Sequence, residues 1–263
     1  MTQTQGTRRQ HTHGAPCWAS VMVHDPVAGQ EFYRGLFGWE FTVRPERAGP
    51  YVRATLDGRE VAGMGTAPPD VGYPVTWMPY LASDDVDATA ELIRHCGGTV
   101  AVGPLDAGEA GRMVIAADPD GAVFGVWQAA AADGPGVTGS GAAGVPTWLE
   151  LVTHTTAGPA AFYPALFGYT AKPSPGGNED RVTLYLEGEP VATVRATDPE
   201  QPSVHGPHWR TGFAVDDTEA SVRRAVELGG RPVHPPHRTP YGIRATVADP
   251  EGARFSVLQR TGD

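Results

Sequence analysis

The sequence predicts an α+β protein built from four βαβββ modules in two paired domains. The first observation behind this reading is a duplication. Residues Pro16 to Gln128 recur as Pro146 to Gln259 with their punctuation intact. Trp18 returns as Trp148, Phe32-Tyr33 as Phe162-Tyr163, Leu36-Phe37-Gly38 as Leu166-Phe167-Gly168, Trp77 as Trp209, Asp84-Asp85 as Asp216-Asp217, and Gly97-Gly98 as Gly229-Gly230. The turn sequence Asp118-Pro119-Asp120-Gly121 returns as Asp249-Pro250-Glu251-Gly252. The offset moves only between 130 and 132, so short loop insertions separate the copies. A repeat this long is a whole domain rather than a solenoid unit. The second observation is that the order strand, helix, three strands is legible twice inside each copy.

Trp18 to Val23 reads as a strand. Asp25 and Pro26 then supply an N-cap and a first-turn proline for a helix whose Phe32, Tyr33, Leu36 and Phe37 fall at helical spacing, and Gly38 ends it. Strands are expected at Glu40 to Val43, Tyr51 to Leu56 and Glu60 to Met64, with Asp57-Gly58 as the intervening turn. The second module opens with a strand from Trp77 to Ala82 and continues with a helix from Asp85 to His95, closed by Gly97-Gly98. Its strands lie near Val100, at Arg112 to Ala117 and at Ala122 to Gln128, the last two joined by the turn at Asp118 to Gly121. Copy two repeats both modules, with its last helix from Asp217 to Leu228; the stretch Pro232 to Pro240, carrying His234 and His237, reads as a loop. The domains are therefore 15–128 and 146–260, each expected to fold around its own apolar interior. Residues 1–14 are polar and expected to be disordered, and the small-residue segment 129–145 is expected to be a flexible linker.

Composition narrows the function classes. With 30 acidic and 20 basic side chains the net charge is −10, and the basic residues are scattered, which argues against nucleic acid as a partner. The same charge makes a cationic or neutral small ligand easier to accept than an anionic one. Cys17 and Cys96 both lie in copy one without counterparts in copy two, so no disulfide framework is readable. No apolar run approaches the ~18 residues that would span a bilayer. The opening residues Met1 to Gln10 lack a signal-peptide core, so no membrane partner and a cytoplasmic location are expected.

Three motifs recur in order at closely similar spacing in both copies: Phe-Tyr-x-x-Leu-Phe-Gly on the first helix, Asp-Asp before the second, and Asp-Pro-Asp/Glu-Gly in the last turn. In these the chain resembles the vicinal oxygen chelate superfamily, which includes glyoxalases, bleomycin-resistance proteins and extradiol dioxygenases, in its two-domain actinobacterial form. The resemblance implies that each module pair forms a curved mixed sheet around a concave pocket where ligand or metal sits. In metal-dependent members, donors stand on the first, fifth and eighth strands. Alignment on the neighbouring motifs puts Trp18, Met78 and Gly125 at those positions in copy one, and Trp148, Arg210 and Ser256 in copy two. None of these is a ligand for zinc, iron or manganese. No metal and no cofactor are therefore expected; the equivalent pair His24 and His154 is expected in turns, and His205, His208, His234 and His237 on loop surfaces.

Strand side chains alternate between faces, so the resemblance also implies which residues line the pockets. In copy one these are Trp18, Ser20, Met22, Met78, Tyr80, Val123, Gly125 and Trp127. In copy two they are Trp148, Glu150, Val152, Arg210, Gly212, Arg254, Ser256 and Leu258. The first set suits an aromatic ligand; in the second, Glu150, Arg210 and Arg254 form either a salt-bridge cluster or a polar ligand site. Trp77 and Trp209 are one residue out of the inward register and are expected to pack in the core. The favoured reading is a metal-independent binding protein that sequesters or delivers an aromatic small molecule, an antibiotic or polyketide-type natural product. A biosynthetic enzyme is a second class of partner, and the chain is expected as a monomer or a homodimer. Two alternatives stay open. One is an enzyme of secondary metabolism, a lyase, isomerase or oxygenase-associated tailoring enzyme, using Glu150 as base and an arginine to stabilise an oxyanion. The other is a metal-dependent dioxygenase or lyase with unrecognised ligands.

Overall fold

The computed structural model describes residues 11–44, 51–67, 75–130, 141–175, 180–197 and 206–260. Most of the tail and linker read from the sequence lie outside the described residues. Copy one contributes β1 (Pro16–Val23), α1 (Pro26–Phe37), β2 (Glu40–Arg44), β3 (Tyr51–Leu56), β4 (Arg59–Thr66), β5 (Trp77–Ala82), α2 (Val86–His95), β6 (Thr99–Asp106), β7 (Gly111–Ala117) and β8 (Val123–Ala129). Copy two contributes β9 (Pro146–Thr153), α3 (Ala157–Phe167), β10 (Thr170–Pro173), β11 (Arg181–Leu186), β12 (Glu189–Ala196), β13 (His208–Ala214), α4 (Thr218–Glu227), β14 (Arg231–Thr239), β15 (Gly242–Ala248) and β16 (Arg254–Gln259). Each copy forms one eight-stranded mixed sheet, ordered β2-β3-β4-β1-β5-β8-β7-β6 in the first and β10-β11-β12-β9-β13-β16-β15-β14 in the second. The leading strands of the two modules, β1 with β5 and β9 with β13, pair antiparallel at the centre of each sheet.

The helix ends follow from capping chemistry. Asp25 accepts from the backbone N–H groups of Val27 and Ala28 at 3.0 Å each, and Gly38 closes α1 at φ 73°, where a side chain would be strained. Asp85 caps α2 in the same way. Thr156 stands at the start of α3 without a side-chain capping bond.

The cores do not follow the domain boundaries. The expectation of one interior per copy is corrected by the packing: α1 and the strands of the first module, including Val21, Phe32, Phe37 and Trp39, share a core with Phe213, Val247, Phe255 and Val257 of copy two. Conversely, Ile93, Val114 and Phe124 of copy one share a core with Leu151, Phe162, Phe167 and Leu184 of copy two. Apolar side chains of each copy thus cover helices of the other. Two hydrogen-bonded latches cross between the copies inside these cores. Tyr33 donates to Asp249 Oδ2 at 2.8 Å and accepts from Trp77 Nε1 at 2.8 Å. Tyr163 donates to Asp118 Oδ2 at 3.0 Å and accepts from Trp209 Nε1 at 2.9 Å. The repeated Asp-Pro turns therefore dock the copies as well as reverse the chain. Glu251 adds to this by accepting from the N–H groups of His24 and Asp25 at 2.7 and 2.8 Å, and Asp120 by accepting from the Thr153 hydroxyl at 2.9 Å.

The loop expected at Pro232 to Pro240 is mostly strand. β14 is an edge strand, so Pro232, Pro235 and Pro236 leave few ladder bonds unmade, and irregularities in its pairing with β15 absorb them. His234 and His237 lie on this strand.

Candidate functional site

In both sheets one face packs into the shared cores while the other forms a concavity. Along β1 the alternation is direct: Ala19, Val21 and Val23 enter the core, while Trp18, Ser20 and Met22 face the other way. The copy-one concavity is an open cavity of about 320 Å³. Six of the side chains expected at a ligand site, Trp18, Ser20, Met22, Met78, Tyr80 and Trp127, line it together. The wall is completed by Tyr51, Arg53, Met113 and Ile115 from β3 and β7, which the sequence reading missed because it drew inward positions only from the strands expected to carry metal donors. Their facing was readable from hairpin register: Tyr51 pairs with Gly65, and Met113 with Trp127. Three of the five methionines and four aromatic rings thus surround one space.

The wall is braced by a few polar contacts. Trp18 Nε1 donates to the Tyr51 hydroxyl at 3.0 Å, and the Ser20 hydroxyl donates to the Tyr80 hydroxyl at 3.4 Å. Arg53, 7% exposed, is paired with Glu60 and brings the one cationic side chain to this lining. Gly125 is required by close approach: a Cβ there would stand 2.1 Å from the Tyr80 ring. Tyr80 thereby occupies the space of the eighth-strand donor position. Together with Trp18 and Met78 at the other two positions, this gives a donor set that does not fit a hard or borderline metal ion. Among the described residues, no three His, Cys, Asp or Glu side chains converge to hold one.

Copy two puts charges where copy one has apolar or small residues. By the repeat register, Ser20 corresponds to Glu150, Met78 to Arg210, Met113 to Arg244, Gly65 to Arg195 and Tyr51 to Arg181. Glu150, 1% exposed, accepts from Arg210 at Oε2 and from Arg244 at Oε1, each at 3.0 Å, with Arg195 3.7 Å away. The second hydrogen-bonded guanidinium is thus Arg244, not Arg254 as expected from the sequence. Arg254 is only partly buried, at the start of β16, and its charge acts on Arg210. Ser256 is buried nearby on the same strand. Burial would raise the Glu150 carboxyl, but Arg244, Arg210, Arg195 and Arg181 together bring it down to about 2. A general base works best with a pKa near the operating pH, so the expected role of Glu150 as base is not supported by its surroundings. Burial lowers Arg210 to about 10, with Glu150 acting in the opposite sense.

Tyr241 narrows the copy-two concavity. Its ring lies 4.4 Å from that of Trp148, and its hydroxyl shares a hydrogen bond of 3.1 Å with Thr183. The cavity left is about 30 Å³. In copy one the equivalent position before the glycine that opens β7 is Ala110, which cannot reach across.

The fold agrees with known proteins. A family model described as the glyoxalase/bleomycin resistance protein/dioxygenase superfamily matches residues 16–126, and one described as a glyoxalase-like domain matches 148–258. The anthracycline biosynthesis protein DnrV of Streptomyces peucetius is 39% identical over 265 residues, covering 94% of this chain and 93% of that protein. The chain belongs to the glyoxalase/bleomycin resistance protein/dioxygenase superfamily. Among solved structures, the Mn(II)-bound glyoxalase from Novosphingobium aromaticivorans superposes with a TM-score of 0.68 at 18% identity, over 94% of this chain and 82% of that one. The 2,3-dioxygenase LapB from Pseudomonas sp. KL28 gives 0.66 at 15% identity, over 96% and 94%. These superpositions speak to the fold alone. Among the described residues, no helix is long and apolar enough to cross a membrane.

Proposed function

We propose that this superfamily member is a metal-independent binding protein that holds an aromatic small molecule in the copy-one concavity and sequesters it, or delivers it unchanged to a biosynthetic enzyme. The observation that carries this is the wall of that cavity: Trp18, Tyr51, Tyr80, Trp127 and three methionines line it, with Trp18, Met78 and Tyr80 taking the places where metal chemistry would need donors. Flat rings stack on a planar ligand for about 0.5–1.5 kcal/mol each beyond area burial, and thioethers adapt to its outline. The volume is within the lower range of small-molecule pockets. The likeness to DnrV, named for anthracycline biosynthesis, supports an antibiotic or polyketide-type ligand. The net charge of −10 favours one that carries a cation. In this reading the protein works in the cytoplasm, as a monomer or homodimer.

The test is titration of the metal-analysed protein with an anthracycline, following tryptophan fluorescence and calorimetric heat, with the ligand recovered and identified afterwards. Saturable 1:1 binding with an unchanged ligand is expected. A flat titration overturns the binding role, and a chemically altered ligand replaces it with catalysis.

A further inference from the structure

We propose that the copy-two concavity is itself a binding site, for one small monovalent anion: an inorganic ion or the carboxylate head of an organic molecule. The argument begins with charge. Arg181, Arg195, Arg210 and Arg244 act on Glu150 and Arg254 acts on Arg210, and among the described residues Glu150 is the carboxylate in ion-pair range of Arg195, Arg210 and Arg244. Two of these arginines already occupy both oxygens of Glu150. Arg195 stands 3.7 Å from the same carboxylate, so one buried glutamate faces three guanidinium groups while Arg181 and Arg254 make no ion pair with it, and like charges held this close repel. The corresponding copy-one residues include Tyr51, Gly65, Met78 and Met113, so the scaffold does not require cations at these places.

Geometry supplies the second step. Arg181 and Arg244 both line the cavity of about 30 Å³ that remains beneath Tyr241, beside Trp148 and the Thr193 hydroxyl. That volume holds about one or two water-sized groups, which suits a halide or a planar carboxylate head and excludes a drug-sized molecule. The third step concerns hydrogen bonding. Nε of Arg210, Arg244 and Arg254 and Oγ of Ser256 are buried without a protein partner among the described residues. The side chains of Arg210 and Arg244 are only 4% and 9% exposed. A buried donor left unpaired costs about 1–3 kcal/mol, more when charged. An anion in that cavity would offset the surplus of positive charge and offer a partner to Arg244, the member of this set that lines it. The remainder of the chain is acidic enough that diffuse anion attraction is not expected, so occupancy would be specific to this cluster.

The test compares chloride, acetate and sulfate at matched ionic strength, against a reference buffer whose anion is too bulky to enter. The readouts are the thermal midpoint and tryptophan emission. Chloride or acetate is expected to raise the midpoint saturably, and sulfate is not. Preference for acetate over chloride assigns the site to the carboxylate of an organic molecule, and the reverse to a free inorganic ion. Arg181→Ala, which removes no hydrogen bond from Glu150, is expected to weaken the saturable response at least about tenfold, as the loss of one charge-assisted bond implies. A midpoint that follows ionic strength alone for all three salts overturns the proposal, as does an Arg181→Ala protein that keeps the full response. If that variant fails to fold, anomalous scattering from bromide-soaked crystals of the unmodified chain decides the matter by the presence or absence of a peak between Arg181 and Arg244.

Discussion

The two concavities share one scaffold and differ in what fills them. Copy one leaves about 320 Å³ open among rings and thioethers, whereas copy two fills the equivalent space with Glu150, its arginines and Tyr241 lying over Trp148. The difference teaches that a sheet of this curvature does not by itself make a pocket. Whether it does depends on about half a dozen inward positions and on Tyr241, whose counterpart by repeat register is Ala110.

The largest effect expected from breaking this comparison is at Glu150. Glu150→Ala strands several buried arginines, and removing one partner from a buried pair typically costs about 3–5 kcal/mol. Calorimetry should show the midpoint falling by roughly 10 °C for a chain of this size, while the corresponding change in copy one, Ser20→Ala, should leave it nearly unmoved. The same residue has a pH signature. Because the folded-state pKa is depressed from 4.5 to about 2, its stabilisation is complete above pH 4.5 and drains away as pH falls toward 2. Denaturation across that window should be less steep with pH in Glu150→Gln, and an unchanged slope would contradict the ion-pair account.

Ligand binding should separate the copies next. Trp18→Ala should weaken an anthracycline by ten- to a hundredfold, since a lost aromatic wall removes about 1.5–3 kcal/mol of burial and stacking. Trp148→Ala should leave that affinity within about twofold. Equal losses by calorimetry would show that the copies do not divide the work in this way. A smaller effect is expected from Ala110→Tyr, which gives copy one the bulky residue that covers the other mouth. A loss of affinity of about tenfold would correspond to one displaced or reoriented contact.

The smallest difference is expected where the copies are most alike. Tyr33→Phe and Tyr163→Phe each leave a buried indole N–H and an aspartate short of one bond, for about 1–3 kcal/mol. Chemical denaturation should give the two variants nearly the same loss, because the latches have the same partners at closely similar distances.

Much of the local structure was readable because its causes are local. Asp25 with Pro26 and the glycine after Phe37 delimit α1, and Asp57-Gly58 sets the hairpin of β3 and β4. The inward face of β1 followed from period two once the family resemblance had marked Trp18 as inward. What escaped the reading has non-local causes. Nothing in the spacing of Phe32 or Phe37 says that Phe213 and Phe255 lie against them, since any apolar surface of matching shape would serve. Arg244 and Arg195 were missed because their facing depends on pairing register across two hairpins rather than on alternation along one strand. The prolines of β14 resemble a loop until its neighbourless edge is known.

The crossed cores make each half of the molecule the folding template of the other. A chain severed between residues 131 and 140 would yield two fragments, each holding part of both interiors and one side of both latches. Such fragments are expected to be insoluble or molten apart and to reconstitute when mixed, as complementary peptides do. This mutual dependence also bears on how the halves diverged. With core and latch residues tied to the opposite copy, substitution had freest rein on the outer concave faces, and there the duplicated sheets have taken on opposite chemical characters.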